Sequence, residues 1–355
     1  MTDMPSSVRD GFPVSGLAAM ERDGPLVHWQ FQRRALRPAD VAIDILFCGI
    51  CHSDLHAIGK WGQEFPLVPG HEIVGRVTDC GDGVTGFKRG DIVAVGTVVD
   101  SCRVCAPCLR DEEPYCLEFP TTTYDGVDRV DGTRTRGGFS TTYVCDERFV
   151  HHLPDGLDPA GAAPLVCAGI TTYSALRHWD AGPGKRIGVI GIGGLGHLAI
   201  KFASAMGAEV VAFTRSADKA REAKRLGADE VVLSTDPVQM RDQAHRIDVI
   251  IDTVSDGYPM DPYLQTLTIG GTLVSLGIPD AFDAKPYILA MARRSIASSG
   301  VGGTREVREM LEFCAARGIT ADVEIVRPDQ VDEALARLAA GDVRYRFVMD
   351  MQAFE

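Results

Sequence analysis

The 355-residue sequence has no uninterrupted apolar run of the ~18–20 residues that crossing a bilayer requires. Its start carries neither the apolar stretch of an export signal nor the arginine-rich pattern of a transit peptide, so a cytoplasmic protein is expected. No segment repeats, and none is of low complexity. Positive charge is in deficit, with 36 Lys and Arg against 49 Asp and Glu and a net charge of −13. Such a surface repels a phosphate backbone, so nucleic acid is excluded as an expected partner. Solubility explains the charge without a ligand. What remains is an ordinary globular composition, 45% hydrophobic and 24% charged, on a chain long enough for two domains.

Cysteine is plentiful and clustered. Four of the ten fall at Cys102, Cys105, Cys108 and Cys116. Disulfides are not expected in a chain without an export signal. Cys102-x-x-Cys105-x-x-Cys108, closed by Cys116, instead offers four thiolates to one ion. Four thiolates around zinc make a closed, structural site with no position left for catalysis. An iron–sulfur cluster uses the same four ligands, and four free thiols are the plainest alternative. Zinc is favoured because the rest of the chain points to hydride chemistry, which needs no one-electron centre.

The texture of the chain changes near residue 160. Before it, short β-type runs such as Val41–Cys48, Glu72–Thr78 and Asp91–Val99 are separated by glycine and proline, which predicts a partly closed, mainly antiparallel sheet. Gly161–Leu176 is small and apolar and reads as one buried helix. Strands at Lys185–Ile190, Glu209–Phe213, Asp229–Leu233, Val249–Asp252, Thr272–Leu276 and Ser295–Ser299 follow, with helices at Gly194–Met206 and Asp218–Leu226. That alternation predicts a doubly wound parallel sheet, an α/β fold. Helices at Thr304–Arg317 and Gln330–Ala340 and a strand at Tyr345–Met349 close the chain.

Gly191-Ile-Gly193-Gly194-Leu195-Gly196 lies between a strand and a helix. In that setting the first glycine permits the turn, the second lets a pyrophosphate approach the backbone, and the third lets helix and strand pack closely. The helix N-terminus supplies free N–H groups for the phosphates. A connector that binds no nucleotide is the bland alternative. An NAD site carries an acid at the tip of the next strand. Here that strand runs into Thr214-Arg215-Ser216, with Lys219 just beyond and no acid at the tip. Hydroxyl, guanidinium and ammonium donors suit a 2′-phosphate, so NADP(H) is expected. Asp218 weakens the case slightly, unless it caps the following helix.

Three separated residues form a second candidate metal set. Cys51, His71 and Cys167 offer two thiolates and an imidazole, leaving a fourth position open, as catalytic zinc requires. Taken singly, Cys167 reads as core and His71 beside Glu72 as a surface pair. Only the joint pattern carries weight.

The motifs Gly49-Ile-Cys51-His-Ser53-Asp54, Pro69-Gly-His71-Glu72, the four-cysteine lobe, Leu165-Val-Cys167-Ala-Gly169 and Gly191-Ile-Gly-Gly-Leu-Gly196-His197 occur in order. Together the sequence resembles the zinc-containing medium-chain alcohol dehydrogenases, whose catalytic zinc is known for this two-cysteine, one-histidine set. Ala297-Ser-Ser-Gly300-Val-Gly-Gly303 and Asp342-Val-Arg-Tyr-Arg-Phe-Val-Met349 are similar to the cinnamyl alcohol dehydrogenase-like branch. The resemblance spans nearly the whole chain. It implies a GroES-like β-barrel catalytic domain at 1–158 and 302–355, with a Rossmann domain at 159–301 inserted between. It implies two zinc ions and NADP(H), aldehyde reduction or primary alcohol oxidation, and a homodimer. It assigns catalytic zinc to Cys51, His71 and Cys167, with Glu72 a neighbour or transient ligand. Asp54 would orient His71, Ser53 would pass the alcohol proton, and His56 would be the next station. Thr171, Thr253 and Gly277 would line the cofactor site, with Ser216 and Lys219 at the 2′-phosphate. Arg215 departs from the smaller polar residue common in relatives. Trp61 is either an apolar wall for the substrate or ordinary packing. A reductase of activated C=N or C=C bonds on the same fold is the alternative activity, against which the intact Ser53 argues mildly. A non-enzymatic NADPH- or zinc-binding protein is hard to reconcile with the complete catalytic ligand set.

Overall fold

The computed structural model describes residues 11–354. The chain divides into two compact units. One runs to Cys167 and resumes at Gly303; the other is Ala168–Gly302.

The first unit is built on a seven-stranded sheet. Its order is Val323–Val326, Arg346–Asp350, Asp40–Ile50, Ile73–Cys80, Ile92–Val95 and His151–His152, with Thr142–Asp146 also pairing Asp40–Ile50. All these pairings are antiparallel except that of Val323–Val326 with Arg346–Asp350. The expected mainly antiparallel sheet is therefore present. Asp40–Ile50 is long and almost wholly buried, because it is central and paired along both edges. Ile43, Ile73, Val77, Val93, Phe139 and Phe347 bury completely around it. Phe347 sits opposite Ile50, and Cys48 opposite Ile73. This register brings Cys51, His71, Glu72 and Arg346 to one end of the sheet. The run read as Asp91–Val99 breaks into Ile92–Val95 and Val98–Asp100, which belong to different sheets. A hairpin of Phe12–Ala19 with Leu26–Arg33 was not legible, because its polar and apolar residues do not alternate cleanly.

The second unit is a six-stranded sheet, parallel throughout. In chain order its strands are Arg186–Ile190, Glu209–Thr214, Glu230–Leu233, Ile247–Asp252, Leu267–Ser275 and Ser295–Ser298. They lie in the order third, second, first, fourth, fifth, sixth. This is the predicted doubly wound arrangement. The order reverses between Ile190 and Asp252, and the crevice beyond the carboxyl ends of strands at such a point is where ligands bind in these folds.

The single buried helix expected at Gly161–Leu176 is a correction. Pro159–Ala162 is α-helical, Ala163–Val166 is a 3₁₀ turn, and Ala168–His178 is a separate helix. Pro164 has no N–H and cannot continue an α-helix. Cys167 itself leaves helical geometry, with φ −130° and ψ −79°. The break gives Cys167 a position that a continuous helix would deny it.

Candidate metal and nucleotide sites

Cys51 is the last residue before the short helix His52–His56. Its N–H donates to Asp54 Oδ2 at 2.8 Å. Asp54 is fully buried, and its Oδ1 accepts the Gly70 N–H at 3.0 Å. That same oxygen faces His71 Nδ1 at 3.3 Å, an ion-pair distance without full hydrogen-bond geometry. One carboxylate thus ties the turn before Cys51's helix to the turn before His71. Gly70 has φ +97°, and a Cβ there would lie 2.5 Å from the Phe139 ring, so only glycine delivers His71 to this place. His71 Nε2 lies 3.2 Å from Cys167 Sγ. Ligand atoms of Cys51, His71, Glu72 and Cys167 all fall within 4.8 Å of one another, and all four residues are buried.

The electrostatics of this cluster fit a bound cation. Hydrogen bonding from Cys167, with the charges of Arg346 and His71 nearby, holds the Cys51 thiol well below its ordinary range. Burial opposes charge on His71, yet Asp54 and Cys51 push its pKa well up. Two soft thiolates and an imidazole suit zinc.

Arg346 was missed by the sequence reading. It is 2% exposed and ion-paired with Glu72 Oε1, while Glu72 Oε2 is buried without a partner. Burial, partly offset by Arg346, pushes the Glu72 pKa up to about 7. The signal was available, since an arginine inside the apolar strand Tyr345-Arg-Phe-Val-Met349 demands a buried counter-charge. Arg346→Met should lower the unfolding free energy by about 3–5 kcal/mol, because it strands a buried carboxylate. Adding Glu72→Gln should restore most of that loss. Urea unfolding of both variants measures it, and an unchanged midpoint in Arg346→Met would show that the pair contributes nothing.

Tyr124 was also missed. Its ring lies 5.6 Å from that of His71, and burial together with Asp54 holds its phenol well above the ordinary value. It sits in an irregular loop with no periodicity to flag it. Ser53 Oγ is 3.7 Å from Cys51 Sγ, and the His56 ring packs 4.6 Å from that of Trp61, which is half exposed.

The four-cysteine lobe is a second, closed cluster. Its Sγ atoms lie within 4.8 Å of one another, with Cys105 to Cys108 at 3.3 Å and Cys102 to Cys108 at 3.9 Å. Zn–S bonds of about 2.3 Å give tetrahedral edges of about 3.8 Å. That fits one ion and is too small a cage for a cluster of several irons. The Cys105 N–H points at Cys102 Sγ at 3.3 Å, and the Cys102 N–H at Cys116 Sγ at 3.4 Å. Backbone N–H groups of Leu117 and Cys108 bring the Cys105 thiol down to about 6. Against burial, backbone N–H groups likewise hold the Cys116 thiol below its ordinary range, whereas burial pushes that of Cys108 up to about 12.

In the second unit, Gly191 has φ +86°, and a Cβ on Gly196 would stand 1.8 Å from the Gly191 carbonyl. A Cβ on Gly193 would meet nothing within 4 Å, so open space lies beside the backbone where a pyrophosphate would come. Leu195 begins the helix Gly196–Ala205, and Gly194 precedes it in the same turn. Thr253 Oγ1 donates to the Ile190 carbonyl at 2.9 Å, and Gly277 is pressed against the Val254 carbonyl. Thr171 is buried in the helix Ala168–His178. Lys219 Nζ reaches the Ile192 carbonyl at 3.3 Å, which brings it to the glycine loop. Thr214 Oγ1 accepts the Ser216 N–H at 3.1 Å, Ser216 precedes the helix Ala217–Leu226, and Arg215 is exposed. Asp218 does not cap this helix; it lies in the first turn, exposed and paired with Arg221.

A doubly wound nucleotide fold in one chain with a buried two-cysteine, one-histidine metal set beside Glu72 defines a zinc-carrying nicotinamide oxidoreductase. Residues 37–155 match the alcohol dehydrogenase GroES-like domain, and residues 194–316 match the zinc-binding dehydrogenase domain. The chain is 52% identical over 327 residues to a probable formaldehyde dehydrogenase of Bacillus subtilis, covering 90% of this chain and 92% of that one. It is 47% identical to an NADP-dependent alcohol dehydrogenase C of Mycobacterium tuberculosis, covering 96% and 99%. A cinnamyl alcohol dehydrogenase structure from Sorghum bicolor superposes with a TM-score of 0.93 at 45% identity, covering 97% and 99%. The chain belongs to the zinc-containing medium-chain alcohol dehydrogenases, on their cinnamyl alcohol dehydrogenase-like branch. The relatives' names fit an alcohol and aldehyde enzyme and not the alternative reductase of C=N or C=C bonds.

Proposed function

We infer that this chain interconverts primary alcohols and aldehydes with NADP(H), and that reduction of aldehydes is its favoured use. The observation that carries the reading is the buried Cys51–His71–Cys167 set, with Glu72 beside it, in a chain with a glycine-loop nucleotide fold. When bound, zinc supplies Lewis acidity toward a carbonyl or hydroxyl oxygen, and the nicotinamide supplies or takes the hydride.

The chain's own residues do the rest. Cys51, His71 and Cys167 hold the catalytic zinc. Asp54 fixes the orientation of His71 and so its basicity as a ligand. Glu72, neutralised in part by Arg346, serves as a neighbour or transient ligand. Ser53 exchanges the substrate proton, since its hydroxyl both donates and accepts, and His56 carries it onward. Trp61 and Tyr124 supply aromatic surface for an aromatic, allylic or aliphatic aldehyde. Gly191, Gly193, Gly194, Leu195 and Gly196 receive the pyrophosphate. Thr171, Thr253 and Gly277 flank the remainder of the cofactor. Thr214, Arg215, Ser216 and Lys219 take the 2′-phosphate. Cys102, Cys105, Cys108 and Cys116 hold the structural zinc.

Among the described residues no helix is long and apolar enough to cross a membrane. None of the ten cysteines is joined in a disulfide, as in a reducing compartment, which supports a cytoplasmic location. The edge strand Ser295–Ser298 and exposed Ile278, Tyr287 and Met291 support a homodimer, since unpaired edges and apolar patches are usually covered.

The cofactor assignment has a direct test. kcat/KM for aldehyde reduction should be higher with NADPH than with NADH. Arg215→Ala with Lys219→Ala should shrink that preference by roughly tenfold or more, the scale of a charge-assisted hydrogen bond. A parent enzyme that prefers NADH contradicts the assignment.

A further inference from the structure

We propose that the first unit carries an oxyanion-binding cavity, separate from the catalytic metal and cofactor sites, that takes a small phosphate- or carboxylate-bearing molecule. The cavity is about 530 Å³, within the ordinary range for small-ligand sites; it contains none of the catalytic zinc or glycine-loop residues and is bordered by Cys102 of the four-cysteine lobe. Seven arginines and five carboxylates line it, in a protein whose net charge is −13. Each of the five carboxylates is ion-paired with one of four of these arginines. A fifth, Arg134, pairs with acids outside the cavity lining.

Arg33 and Arg136 are left. Arg33 is 8% exposed, and its guanidinium donates only to the carbonyls of Thr142, Arg136 and Gly137 and to Ser140 Oγ. Carbonyl dipoles satisfy its N–H groups without cancelling its charge. Arg136 lies over the rings of Trp29 at 5.2 Å and Phe31 at 5.4 Å, and Arg33 lies over the same Phe31 ring at 4.9 Å. Among the described residues Arg136 donates to no protein acceptor, and its Nε is buried without a partner. Burial lowers the pKa of Arg136 and, with Arg136 nearby, brings that of Arg33 to about 10. Two like charges beside one aromatic ring, both partly desolvated, lack a counter-ion. An oxyanion in the cavity supplies it and gives Arg136 the acceptor it lacks, through the planar donor geometry that arginine offers to phosphate and carboxylate.

The test uses zinc-loaded enzyme saturated with NADPH, so that the cofactor's own phosphate subsite is filled. Inorganic phosphate and malonate are titrated separately by calorimetry. One equivalent of at least one probe should bind per chain. Arg136→Gln should weaken it by roughly tenfold or more, while Lys219→Ala leaves it unchanged. Arg136→Gln should fold, because the side chain bonds to no protein acceptor. If it does not, Arg136→Lys keeps the charge and should show a smaller loss. Uptake of phosphate alone or malonate alone assigns the ligand's anionic group. No uptake of either probe by the parent, or equal affinity in parent and Arg136 variants, overturns the proposal.

Discussion

Cys167→Ala should lose one of two zinc ions per chain, and with it aldehyde reduction, while the fold survives. The expected loss in kcat/KM is at least roughly 10³-fold, since a Lewis acid at a developing alkoxide contributes several kcal/mol. The fold should persist because the turns that carry the ligands do not depend on the ion. The site's residues are held independently by Asp54, by the Gly70 turn and by the Glu72–Arg346 pair. Cys105→Ala should behave in the opposite sense. The lobe has little regular structure of its own, only short 3₁₀ turns at Cys108–Arg110 and Glu113–Tyr115, so metal binding there is folding free energy. That variant should melt at a lower temperature and lose its zinc. Elemental analysis with thermal unfolding on both variants separates the roles. If both keep two zincs, the division into catalytic and structural sites is wrong.

The second large effect belongs to Ser53. Its hydroxyl stands 3.7 Å from the Cys51 sulfur, on the same short helix as His56. If it exchanges the substrate proton, Ser53→Ala should cut aldehyde reduction by roughly 10²–10⁴-fold, the scale of lost general acid–base help. Zinc content and NADPH affinity should stay near the parental values, because neither rests chiefly on this hydroxyl. Ser53→Thr should keep most of the activity. An alanine variant reducing aldehydes at the parental rate would make Ser53 structural and leave water as the proton donor.

Much of this was legible in the sequence because the chemistry is dictated by residue type at short range. The glycine loop carries its reason locally, since a Cβ on Gly196 collides with the Gly191 carbonyl five residues away. The four-cysteine lobe folds on itself within fifteen residues. The parallel sheet announced itself by its alternating strands and helices. What was not legible depends on long-range pairing. Arg346 meets Glu72 only because the C-terminal strand lies beside Asp40–Ile50. Tyr124 reaches His71 from a loop without periodicity. The Gly161–Leu176 segment misled because its small apolar composition suits a continuous helix, and the consequence of Pro164 for Cys167 was overlooked. The Arg33–Arg136 pair also depends on the tertiary fold, since its residues are separated by 103 positions and meet at Phe31.

The proposed NADPH-linked aldehyde reduction at a zinc held by Cys51, His71 and Cys167 has a direct test. Steady-state kinetics of the zinc-loaded enzyme on aromatic, allylic and aliphatic aldehydes, with NADPH and then NADH, test it most directly. Turnover of at least one of these classes with NADPH is expected, with a higher kcat/KM than with NADH and loss of turnover in Cys167→Ala. Absence of turnover with every aldehyde in the presence of full zinc and NADPH would contradict it.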